Sequence, residues 1–79
     1  MEIMVPNSIM TYLGQVSERD RQQILEALLA LRRELSASRN QPLVGEEGPF
    51  YLRVGDWRVL YGIDEAAGKA VVLTIAPMA

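Results

Sequence analysis

The sequence predicts an α+β fold, with two N-terminal helices packed on one face of a small twisted antiparallel sheet in the order β-α-α-β-β-β. Three observations carry this reading. Residues 50–63 alternate apolar side chains with others on both sides of Gly55-Asp56, the period-two pattern of two half-buried strands. Ile24, Leu28, Leu31 and Leu35 recur at i, i+4, i+7 and i+11, the spacing of a helix with one apolar face. A third apolar run, AVVLTIA at residues 70–76, follows a short polar turn. At 79 residues the chain forms one domain, 1–79, with no linker, repeat or low-complexity tract.

Composition narrows the function classes. The chain has no cysteine and no histidine, so neither disulfides nor a zinc site of the usual ligands are expected, and the commonest general acid–base group is missing. No cofactor and no metal are implied. Eight basic and ten acidic residues give a net charge of −2, whereas a dedicated nucleic-acid binder is usually basic overall. Any role with RNA therefore rests on a local patch. No apolar run approaches the roughly 20 residues of a membrane span, and Met1 to Pro6 lacks the basic start of a signal peptide. The expectation is a soluble, cytoplasmic protein without membrane contact. A core this small, without staples, is expected to lean on a partner or a second copy of itself.

Taken in order, Glu2 to Val5 reads as a short strand ended by Pro6. Asn7 or Ser8 is expected to cap a short helix carrying Ile9, Met10, Tyr12 and Leu13, which stops at Gly14. Ser17 is a good N-cap for the long helix, and Glu18 and Asp20 place acids where the helix dipole favours them. Leu25 and Leu29 widen its apolar stripe, while Arg19, Arg21, Arg32 and Arg33 alternate with acids as a solvated face. Residues 36–42 form the helix exit, Leu43 and Val44 are expected to touch the core, and residues 45–49 make a polar turn.

Gly55 at the first central position of a two-residue loop fits a type II′ hairpin. That turn sets Val54 opposite Trp57, Leu52 opposite Val59 and Phe50 opposite Tyr61 on the core face. The open face then carries Tyr51, Arg53, Arg58 and Leu60, with Arg53 directly opposite Arg58. Asp64 to Gly68 reads as a five-residue turn; pairing Ile63 with Lys69 puts Val71, Leu73 and Ile75 on the core face, and Val72 beside Leu60 and Thr74 beside Arg58 on the open one. Two like charges opposed across strands destabilise a sheet by a few tenths of a kcal/mol or more. The pair is either solvated and offset by acids such as Glu46 and Glu47, or held there for an anion.

The run YLRVGDWRVLYGID at residues 51–64, followed by the strand AVVLTIA, resembles the central hairpin and third strand of the RelE/ParE toxin superfamily. Members are small bacterial toxins of type II toxin–antitoxin pairs, and the resemblance places the first strand at the sheet edge. It implies a toxin that acts as a ribosome-dependent, metal-independent mRNA endoribonuclease, with an antitoxin as partner and the ribosome and mRNA as targets. A homodimer or a toxin–antitoxin hetero-oligomer follows from the same resemblance. Arg53 and Arg58 match basic positions of the motif and are the expected catalytic residues. Tyr51, Arg53, Arg58 and Thr74 are the expected RNA-binding set, and Leu60 with Val72 the expected apolar groove for an antitoxin segment. Trp57 stands where the family usually has a tyrosine and is read as core.

The end of the chain departs from the pattern. Met78 stands about where a catalytic arginine is expected, and no tyrosine-bearing tail follows. On that basis the nuclease is weak or inactive, and whether the protein is an enzyme stays open. The alternative is a protein of the same fold without nuclease activity. It would be a ParE-like toxin acting on another protein such as gyrase, a degenerate antitoxin-binding member, or a docking module that uses the open sheet.

Overall fold

Ser17 starts the long helix as its side chain suggests: its Oγ accepts the backbone N–H of Asp20 at 3.2 Å and its carbonyl accepts that of Arg21 at 2.9 Å. In the computed structural model, which describes residues 2–36 and 49–78, this helix is α2, Glu18–Ser36. Before it come β1, Glu2–Met4, and α1, Asn7–Leu13; after it come β2, Phe50–Val54, β3, Trp57–Asp64, and β4, Lys69–Pro77. The expected contacts of Leu43 and Val44 and the expected turn at 45–48 lie outside the described residues.

The short helix begins one residue earlier than its capping residues suggest. Pro6 is the N-cap and its carbonyl takes the N–H groups of Ile9 and Met10, so Asn7 and Ser8 lie inside the first turn. Gly14 ends the helix in ordinary helical geometry, donating to Met10 O at 3.1 Å.

The sheet order is β1-β4-β3-β2. Strands β2, β3 and β4 are antiparallel neighbours, and β1 joins the edge of β4 in parallel, with Ile3 opposite Ala70. The two helices cover one face. From α2, Ile24, Leu28, Leu31 and Leu35 are all buried. They meet Val54, Val59, Val72 and Ile75 in one cluster, which Leu13 of α1 completes, and Ile63 and Ala70 in the other.

The hairpin register is the expected one, from Val54 opposite Trp57 to Phe50 opposite Tyr61. Gly55 has φ +57°, the left-handed backbone that the turn demands and that an L side chain disfavours. Trp57 packs against the core and meets Tyr12 edge to face, with ring centroids 6.1 Å apart. Tyr61 is half-buried beside Phe50, with centroids 5.5 Å apart.

The fourth strand departs from the expected register. Asp64, not Ile63, faces Lys69, because the Asp64 carboxylate accepts the N–H of Ala67 at 3.1 Å and Gly68 turns the chain with φ +67°. That tight turn absorbs four residues instead of five, which moves Ala70 opposite Ile63 and Val72 opposite Tyr61. A bulge then falls between Leu60 and Tyr61: their partners are Thr74 and Val72, which leaves Leu73 unpaired. The core face of β4 is thus Ala70, Val72 and Ile75 rather than Val71, Leu73 and Ile75. Val72 is 0% exposed, and Leu73 is 54% exposed.

Candidate functional site: the open face of the sheet

The face away from the helices is built by strand alternation in the hairpin and, on β4, by alternation broken at the bulge. Along the hairpin it presents Tyr51 opposite Leu60 and Arg53 opposite Arg58. On β4 it continues with Thr74 opposite Leu60 and Ala76 opposite Arg58. Arg53, Arg58, Tyr51 and Thr74 are all exposed, so the structure brings these four predicted residues onto one surface. Thr74 sits one pair further from the arginines than the sequence suggests, a consequence of the shifted register. Val72, expected beside Leu60 on this face, belongs to the core and cannot line an open groove. The bulge offers Leu73 in its place, next to Thr74, with Leu60 half-buried opposite. Met4 and Val71, paired at the β1 edge, extend the apolar strip.

The arginine pair is held differently on its two strands. The Nε of Arg53 donates to Gly55 O at 3.4 Å, a weak contact that lays its stem along the hairpin turn. Arg58, on the middle strand, projects between β2 and β4. Two guanidinium groups opposed on an exposed surface offer up to ten N–H donors in planar forks, suited to a phosphate or carboxylate.

Residue Met78 was absent from the predicted site and belongs to it. Its N–H donates to Asp56 O at 2.8 Å, carrying the β3–β4 ladder one residue past Pro77. Its Sδ accepts the Tyr51 hydroxyl at 3.1 Å. Nothing in the local sequence links positions 51 and 78; the contact exists only because β3 sets β2 and β4 on its two sides.

A second concavity lies on the helix side, between β1 and α2. This groove of about 420 Å³ is lined by the apolar Ile3, Val5, Leu25, Leu28 and Leu29 and by the charged Glu2 and Arg32. Leu25 and Leu29, expected to widen the buried stripe of α2, are instead 38% and 54% exposed above it. β1 is an edge strand of the sheet. Among the described residues no three acidic, histidine or cysteine side chains converge as a metal site, and no helix is long and apolar enough to cross a membrane.

Burial raises the pKa of Tyr61, and the nearby Glu34 carboxylate raises it further. Its ring lies on the helix side of the sheet, away from the arginines.

Comparison with known proteins agrees with this architecture. A chain in the crystal structure of the archaeal RelE–RelB complex from Pyrococcus horikoshii OT3 superposes with a TM-score of 0.77. The match covers 98% of this chain and 93% of that one, at 17% sequence identity. This chain has the RelE-like fold. No family model matches it, and no curated protein matches it in sequence.

Proposed function

We propose that this protein is the toxin component of a type II toxin–antitoxin pair and that its open sheet face engages RNA. The observation that carries the reading is the register pair Arg53–Arg58, exposed on the face opposite the helices and flanked by Tyr51 and Thr74. Opposed like charges weaken a sheet, so a fold that keeps them on its surface gains from an anion there.

In the chemistry this face would serve, a ribose 2′-hydroxyl attacks the adjacent phosphorus and the 5′ oxygen leaves. Negative charge builds on the phosphoryl oxygens, where Arg53 and Arg58 would stabilise it by charge-assisted hydrogen bonds. A proton must also leave the 2′ oxygen and another must reach the 5′ oxygen. The chain has no histidine, and the described open face offers only Tyr51 and Thr74 as neutral hydroxyls. General acid–base help contributes typically about 10²–10⁴ in rate, so a nuclease built on this face is slow. Tyr51 would stack on a base, as aromatic side chains do with unpaired RNA.

A second reading has its own observation. The groove between β1 and α2, with Leu25 and Leu29 exposed along it, offers apolar surface to a partner segment. The structural neighbour was solved in complex with RelB. An antitoxin held there would mask a toxin of either mechanism, so the groove supports the toxin–antitoxin class without deciding the target.

The test is growth and mRNA integrity after induced expression, beside an Arg53→Ala/Arg58→Ala double variant. Growth arrest with mRNA cleavage, lost in a variant that still folds, is the expected result. Arrest with intact mRNA moves the reading to a ParE-like action on another protein. No arrest from folded protein removes the active toxin and leaves a partner-binding module.

A further inference from the structure

The Tyr51–Met78 contact has a geometry that its two residues alone do not reveal. Tyr51 is on β2, Met78 lies just beyond β4, and β3 runs between them. The hydroxyl and the sulfur, 3.1 Å apart, therefore meet above the middle strand. In the ladder Tyr51 lies in the row of Leu60 and Thr74, the next row holds Arg53, Arg58 and Ala76, and Met78 comes one row beyond. The link runs diagonally over the sheet through the row of Arg58. Among the described residues it is the only hydrogen bond between two side chains. Its far end is fixed by the Met78 N–H to Asp56 O bond at 2.8 Å, while the side chains themselves stay 52% and 39% exposed.

We infer that the Tyr51–Met78 bridge is a self-made strap across the arginine row, and that a phosphate-bearing ligand must open it to reach Arg58 and the Tyr51 ring together. The inference rests on the reading that this face takes RNA, and it adds how access to the face is regulated. A thioether is a weak acceptor and both groups are reachable by water, so the strap opens at small cost. The flexible methionine side chain can swing aside without disturbing the backbone bond that anchors it. Closed, the strap occupies the phenol and narrows the approach to Arg58. Open, it frees the ring for a base and the guanidinium for the phosphate beside it.

Two variants break the strap from opposite ends. Met78→Ala removes the acceptor, and Tyr51→Phe removes the donor while keeping the ring that stacks. Binding is read by fluorescence anisotropy of a short, fluorescein-labelled single-stranded RNA of mixed sequence on the full chain. Both variants should bind about twofold to fivefold tighter than the parent, the worth of one modest hydrogen bond. The double variant should gain no more than either single one, because both remove the same link. Where the parent binds RNA, weaker or unchanged binding in either single variant overturns the strap.

A second measurement does not depend on RNA. The rate of Tyr51 nitration by tetranitromethane, followed by peptide mapping with Tyr61 as internal reference, should rise severalfold in Met78→Ala. Equal rates overturn the strap whatever the RNA result. If no variant binds RNA yet Tyr51 nitration accelerates, the strap stands and the RNA reading of the face fails.

Discussion

Replacing Val72 by alanine tests the register of β4, on which the composition of the open face depends. Val72 is 0% exposed and contributes to the main core cluster against Ile24, Val59 and Ile75. Removing its two methyl groups forfeits about 0.8 kcal/mol for each buried carbon, and the cavity left behind adds to that. The expected loss is about 2–3 kcal/mol. A domain of 79 residues holds roughly 4–12 kcal/mol in all, so the change is large. Leu73→Ala removes a bigger side chain, but one that is 54% exposed at the bulge, and it should fall within about 0.5 kcal/mol of the parent. Urea unfolding followed by the fluorescence of Trp57 reads both; with a slope of roughly 1 kcal/mol/M, Val72→Ala should lower the midpoint by about 2 M. The order of the two variants is the decisive result. Under simple alternation Val71 and Leu73 would fill the core, and Leu73→Ala would be the damaging change. Finding Leu73→Ala more destabilising than Val72→Ala refutes the shifted turn and the bulge together.

Other perturbations give equally definite outcomes. Gly55→Ala forces a side chain into φ +57° and sets its Cβ about 3.3 Å from the flexible Gln23 Oε1, so urea titration should show a loss of about 1–2 kcal/mol, mostly from the backbone. Arg58→Glu turns the opposed arginines into an opposite-charge pair; stability should rise by about 0.2–1 kcal/mol while affinity for RNA falls, and a drop in stability would show that Arg58 supports the fold instead. Ser17→Ala deletes the cap on α2 and should cost about 1 kcal/mol in the same assay. Tyr61 ionises less readily in the folded chain than in the unfolded one, so its contribution is complete below pH 10.0 and is lost as pH rises through the raised folded value. Stability of the parent should therefore fall more steeply above pH 10.0 than that of Tyr61→Phe, and parallel curves would show that burial does not oppose this ionisation.

The parts of the fold that were legible in the sequence are those whose geometry is decided locally. Gly55-Asp56 dictates a two-residue turn, and the turn dictates every pair from Val54–Trp57 to Phe50–Tyr61, including the Arg53–Arg58 pair. Ser17 and the Ile24–Leu28–Leu31–Leu35 stripe do the same for α2. The fourth strand was not legible because Ala70, Val71, Val72 and Leu73 are all apolar, so alternation cannot say which pair faces inward. The answer came from the Asp64 carboxylate on Ala67 N–H, which shortens the turn, and from a bulge that no local pattern announces. Leu25 and Leu29 looked buried by periodicity, yet both stay exposed along the groove between β1 and α2. The link from Met78 to Tyr51 was not legible, since it depends on a contact 27 residues away in sequence.

The parallel pairing of β1 with β4 has a consequence for how the molecule comes into being. β4 occupies an interior position in the sheet, yet among the described strands it is the last in chain order. When the ribosome has made everything up to Asp64, β1 has no neighbour at all and β3 has only β2, while Ile24 and Leu28 face no Val72 or Ile75. Completion of the sheet thus waits on β4, and the long-range closure of Glu2–Met4 onto Lys69–Val71 is a slow kind of step. Before β4 is made the hairpin can already pair Arg53 with Arg58, while the Tyr51–Met78 contact cannot yet form. Until β4 joins the sheet, β1 and β3 share no neighbour, and the two ends of the described fold are tied together only through that strand.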